Sequence, residues 1–278
     1  MIVDAHHHLW QIGRNGHVWP TPDLEAIHRD FEPADLARAV EGTGVTATLL
    51  VQTQTDDRDT DWMISVADQS DLIQGVVGWT DLSAPRATAR IHALAQQPKF
   101  KGLRPMLQGL PEDDWILRED VRPALTAMAD EGLSLDALVF TRHLPAIVAL
   151  AQALPGLKIV IDHGAKPPFA TPTDMPLWRD RMRQAADCAN IACKLSGLFT
   201  ELPPGQSTAD VAPAADHLLA CFGADRLMWG SDWPVVDLAG GYSRWLDWTR
   251  QWLENKGSRM QEAILSRAAR TFYRLDSF

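Results

Sequence analysis

A chain of 278 residues, 46% hydrophobic and 22% charged, has ample material for a large core and lacks the apolar depletion that marks disorder. Its formal net charge of -10 argues against a nucleic-acid partner, because phosphate binding rests on clustered Lys and Arg that are missing here. Three cysteines without a C-x-x-C pair give neither a disulfide framework nor a zinc ribbon, and no run has the length of a membrane span or the layout of a signal peptide. A cytoplasmic protein without a membrane partner is expected.

In chain order, short apolar runs rich in β-branched residues occupy 2–5, 46–52, 73–79, 100–104, 133–138, 157–163, 191–196 and 227–232. They read as strands. Segments with helical spacing lie between them: 33–40, 84–96, and 144–154, which Pro155 and Gly156 close. Strand and helix alternate throughout, and eight repeats of the unit predict an α/β protein closed into a (β/α)8 TIM barrel, one domain over 1–278. An open doubly wound sheet fits less well, since no strand is followed by the G-x-G-x-x-G turn of a dinucleotide fold. Proline-rich loops after the first, sixth and seventh runs are expected to crown the C-terminal mouth, where barrel active sites sit.

The first run ends in His6-His7-His8. Side chains alternate along an extended chain, so His6 and His8 leave on one side and His7 on the other. An H-x-H pair there can supply two nitrogen ligands to one divalent metal; taken alone, the triplet also reads as an incidental run or a cloning tag. The sixth run, however, ends in His163 and the eighth in Asp232. Four such groups at strand ends point to a single site rather than to scattered core polar groups.

Other residues are candidates for substrate contact. Arg104 ends the fourth run, and its planar fork suits a carboxylate or a polarised carbonyl oxygen. Lys194 shares a face with Ser196: in the lumen it would anchor a carboxylate or hydroxyl, otherwise it is a buried lysine paired with an acid. Arg142 follows the fifth run. Trp10, Trp79 and Trp233 lie just after strands and are expected to line a pocket that stacks on a sugar ring, whereas Trp178, Trp245, Trp248 and Trp252 have helical spacing and are expected to pack.

The motifs "DAHHHLW", "FKGLRPMLQ", "LDALVFTRHLP", "IDHGAKPP", "CKLSGL" and "LMWGSDWPV", in this order across nearly the whole chain, resemble the amidohydrolase superfamily. More narrowly they resemble its lactonase branch, which includes sugar-lactone and pyrone-dicarboxylate lactone hydrolases. The resemblance implies that His6, His8 and His163 are the strand-end histidines and Asp232 the general base. The bridging lysine or glutamate of strand four and the histidine of strand five found in binuclear members have no counterpart here, so a two-metal centre is not expected. One divalent ion, Zn2+ on His6, His8, His163 and Asp232, is implied, or catalysis without metal. The expected reaction is hydrolytic opening of a small lactone. A lactone isomerase, a single-metal decarboxylase or hydratase, and a non-catalytic binding barrel are the alternatives.

Overall fold

The computed structural model describes residues 1–275. Eight parallel strands follow one another in sequence order around the sheet: β1 (Ile2–His7), β2 (Val45–Val51), β3 (Ile73–Gly78), β4 (Phe100–Leu103), β5 (Ser134–Ala137), β6 (Lys158–Ile161), β7 (Ile191–Leu195) and β8 (Leu227–Trp229). Main-chain bonds between the segments that follow β8 and end β1 bring the ring to closure: Asp232 N–H donates to His6 O at 2.7 Å and His8 N–H to Trp233 O at 2.7 Å. Close approach here requires Gly230, where a Cβ would lie 2.7 Å from that of His6. The (β/α)8 expectation is met, with all eight strands where the apolar runs put them.

The crossover helices are α1 (Pro33–Val40), α2 (Asp57–Asp68), α3 (Ala87–Ala95), α4 (Arg122–Asp130), α5 (Leu144–Ala153), α6 (Met175–Ala186), α7 (Ala212–Phe222) and α8 (Tyr242–Leu253). Apolar residues on the outer faces of the strands, such as Leu135, Ile159, Cys193 and Trp229, pack against them in one large core. The inner faces form a second cluster: Val3, Leu49, Val77, Val160 and Met228 meet Ala268, Ala269, Tyr273 and Leu275. Those last four belong to the C-terminal segment, α9 (Ser258–Glu262) and α10 (Ala268–Tyr273) joined by a π-helical turn, which closes the end of the barrel away from the mouth. No helix among the described residues is long and apolar enough to cross a membrane.

One irregularity positions the histidines. Between Asp4 and His7 the pairing of β1 with β2 slips, Asp4 matching Thr48 and His7 matching Leu50, so three steps on β1 oppose two on β2. Such a bulge re-aims side chains. Val3 and Ala5 join the inner cluster and His6 and His8 enter the site, while Asp4 turns toward α8, accepting from Tyr242 Oη at 2.9 Å and Ser231 N–H at 2.8 Å. Burial pushes the Asp4 carboxyl up to about 6.

Candidate active site

His6, His8, His163 and Asp232 converge at the C-terminal mouth, each 5% exposed or less. His6 Nε2 lies 3.2 Å from His8 Nε2, and Asp232 Oδ1 is 3.2 Å from His8 Nε2, 3.6 Å from His6 Nε2 and 3.9 Å from His163 Nε2. Each imidazole is fixed from behind. His8 Nδ1–H donates to Val51 O at 2.7 Å, leaving Nε2 with its lone pair toward the centre; His163 Nδ1 pairs with Ser196 Oγ at 2.9 Å, and His6 Nδ1 meets Lys194 Nζ at 3.1 Å.

Two strained turns carry His163 and Asp232. Residues 163–166 are all left-handed (φ 53, 56, 56 and 53°), although only Gly164 is a glycine, and Asp232 has φ 57°. A residue with a Cβ adopts this conformation at a cost of about 1–2 kcal/mol, so the surroundings must impose it. Trp178 of α6 donates its indole N–H to Gly164 O at 2.8 Å, and Trp245 of α8 donates to Gly230 O at 2.8 Å. Lys166 is further tied to Glu201 at 2.7 Å. Gly197 makes room for the His163 ring: a Cβ there would sit 2.6 Å from His163 Nδ1.

Beneath the histidines lies a set of buried charges. Lys194 Nζ contacts Asp136 Oδ2 at 2.6 Å and Asp162 Oδ1 at 3.0 Å; Arg104 Nη1 reaches Asp162 Oδ2 at 3.3 Å and His6 Nε2 at 3.3 Å. Arg104 is also clamped by reciprocal bonds with Gln52, its Nη2 donating to Gln52 O and its own O accepting from Gln52 Nε2. Burial opposes ionisation of Asp232, but the surrounding histidines, His163 first, outweigh it and hold the carboxyl well below the usual range. Burial likewise opposes ionisation of Asp162, and Lys194, His6 and Arg104 outweigh it. Burial, then the Lys194 charge, depresses His6, and burial depresses His163. The charged forms of His6 and His163 are thus disfavoured beside an ionised carboxylate.

That protonation state is what a divalent metal needs. The separations fit as well: ligand atoms at about 2.0–2.1 Å from a tetrahedral zinc stand about 3.3 Å apart, close to the triangle of His6 Nε2, His8 Nε2 and Asp232 Oδ1. His163 adjoins this triangle and also forms a second possible ligand group with His6 and Asp162.

Above the centre opens a cavity of about 450 Å³, lined among others by Trp19, Arg104, Gln108, Lys166 and Val235, with His8, His163 and Asp232 at its floor. It offers cationic, amide and aromatic groups over a reactive centre, the makings of a small polar ligand site.

Residues 3–275 match the amidohydrolase family. The chain belongs to this family. An amidohydrolase from Burkholderia multivorans, crystallised with bound zinc, superposes with a TM-score of 0.94 at 28% identity, covering 99% of this chain and 100% of that one. L-Fucono-1,5-lactonase of Burkholderia ambifaria is 43% identical over 278 residues, 99% of this chain and 96% of its own. The L-fucono-1,5-lactonase of B. multivorans is 31% identical over 277 residues, 95% and 92% of the two chains.

In this amidohydrolase the four strand-end groups foreseen from sequence meet at one point, and Arg104 lines the cavity above them. Other candidates for substrate contact lie elsewhere. Lys194 is fully buried below His6, the paired-lysine alternative, because its β7 position faces Asp136 and Asp162 across the lumen. Trp10 and Trp233 pack edge-on against Phe31 under the rim, and Trp10 spends its indole N–H on Arg29 O. Arg142 points outward and pairs with Asp113 at 2.8 Å. Trp79 borders a separate cavity. The loop after β1 supplies Trp19 to the mouth and the loop after β6 supplies Lys166, while the loop after β7 contributes indirectly, through Glu201.

Sequence reasoning assigned no role to Asp136, Asp162, Gln52, Trp19, Gln108 or Lys166. For the two aspartates a signal was present: each is a lone acidic group inside a buried apolar run, a position that calls for a partner.

Proposed function

We propose that this amidohydrolase hydrolyses a small, hydroxylated sugar-acid lactone. The observation that carries the reading is an ionised, buried Asp232 carboxylate among three histidines at the floor of a polar cavity, in a chain 43% identical over nearly its whole length to an L-fucono-1,5-lactonase. Ring opening needs a base for water and a donor for the tetrahedral oxyanion.

Asp232 Oδ1 accepts a proton from a water held beside it, and the water oxygen bonds to the ester carbonyl carbon. Arg104 and the imidazole of His6, against which its guanidinium rests, face the oxygen that gains charge. Collapse of the adduct breaks the ring carbon–oxygen bond, and the proton taken by Asp232 passes to the departing alkoxide, leaving a hydroxy acid. Lys166 and Gln108 at the cavity wall bind the hydroxyls, and Trp19 covers the apolar face of the ring.

His6, His8 and Asp232, with His163 beside them, are the residues that would hold a divalent ion, and zinc suits this nitrogen and oxygen set. When bound, such an ion polarises a carbonyl and lowers the pKa of water. The test is proton release from a panel of aldonolactones and pyrone lactones, run with and without chelator. A sugar-acid lactone should be opened, and chelation should slow turnover by tenfold or more; a panel left wholly intact would overturn the reading.

A further inference from the structure

The catalytic centre connects to the opposite end of the barrel through an unbroken line of buried polar contacts. Tyr273, on α10, reaches up the lumen and donates its hydroxyl to Asp136 Oδ2 at 2.6 Å. The same oxygen accepts from Lys194 Nζ at 2.6 Å, and Lys194 Nζ stands 3.1 Å from His6 Nδ1. Asp136 Oδ1 is taken up by Ser134 Oγ at 2.9 Å. Tyr273, Asp136, Lys194 and His6 are each 2% exposed or less.

Stability alone gives little reason for this arrangement, since buried ion pairs are often replaceable by apolar groups of similar volume without loss. The lumen below the site is otherwise lined by Val, Leu, Ala and Met, which fill such a space adequately. What an apolar filling could not do is hold the His6 ring from two sides, since its Nδ1 would then keep only Asp162 Oδ1, at 3.4 Å. Partners on the far nitrogen of a site histidine set its orientation. Lys194 shares that role with Asp162, and its flexible stem is held from two sides, by Asp162 at 3.0 Å and, at the shorter distance of 2.6 Å, by Asp136, itself pinned by Tyr273.

The geometry points to Tyr273 as a positioning residue for the reaction: the C-terminal helix α10, which follows the last strand in the chain, helps align His6 through Asp136 and Lys194. The inference rests on the lactonase reading for its kinetic arm only.

The test uses the full-length Tyr273→Phe protein, which keeps the ring and removes the hydroxyl. Direct outer partners of site histidines are worth about 10- to 100-fold in activity or metal affinity, so a link acting through two intermediaries is expected to lower kcat about three- to tenfold with KM within about twofold. Independently of turnover, the side-chain ¹⁵N resonances of His6 in ¹⁵N-histidine-labelled protein should move, while those of His17 and His28 stay in place. A lowered melting temperature with unchanged His6 resonances and unchanged kcat would overturn the proposal, leaving Tyr273 a packing residue. If the His6 resonances move but even the unaltered protein opens no lactone, the positioning role stands and the lactonase reading falls. Should Tyr273→Phe fail to fold, Asp136→Asn breaks the same link one contact nearer and is read by the same resonances; unmoved His6 signals there would also overturn the proposal.

Discussion

His7 separates two histidines of the site and shares none of their chemistry. It is fully buried, neither ring nitrogen meets a protein partner among the described residues, and burial pulls its pKa down to about 3. A neutral imidazole with unmet hydrogen-bonding capacity gains nothing over an apolar side chain. His7→Leu is therefore expected to keep kcat within about threefold and to hold or raise the melting temperature, while His6→Ala and His8→Ala each lose about a hundredfold or more in turnover, the range expected for groups acting directly at the reacting centre. Similar losses at all three positions would contradict the geometry. The division among the histidines was legible in the sequence because period-two alternation survives the bulge between Asp4 and His7 on the site side. Asp4 was not: strict alternation groups it with His6 and His8, and the extra residue turns it toward α8 instead.

Among the elements, the turn after β6 departs furthest from its sequence expectation. The apolar run 157–163 reads as a strand ending in a histidine, yet β6 stops at Ile161 and the chain enters four successive left-handed residues. Only Gly164 hints at this, since His163, Ala165 and Lys166 all carry a Cβ, and what imposes the turn is the Trp178 indole on a helix that follows in the chain. A helical tryptophan reads as packing from its spacing; its hydrogen bond to Gly164 O cannot be read from spacing at all. Trp178→Phe keeps most of the packing and removes the donor. It should cost about 1–2 kcal/mol of stability for a buried carbonyl left unpaired and lower kcat, because His163 loses the constraint on its backbone. Denaturant unfolding together with steady-state kinetics checks both, and a variant that loses stability while retaining full kcat would show that the turn holds its shape unaided.

At the scale of the whole molecule, the barrel was legible because eight apolar runs alternate with helical segments, and parallel crossovers leave few topologies open. Which charges would meet inside it was not. Strand periodicity tells which face a residue takes but not which residue lies opposite across the lumen, so the contacts of Asp136 and Asp162 with Lys194 emerge only on closure. For the same reason Arg104 could be aimed at the mouth from its position at a strand end, while Lys194, two residues from the end of its own run, lies a layer deeper. All of these features serve one claim, that Asp232 is the base that activates water against a lactone carbonyl. The most direct measurement is the turnover of a sugar-acid lactone by Asp232→Asn, with circular dichroism and thermal unfolding to establish that the barrel is intact. A folded variant with hydrolysis reduced by about a thousandfold or more, within the range for loss of a positioned general base, is the expected result. A folded Asp232→Asn protein that opens the lactone at the unaltered rate would contradict the account.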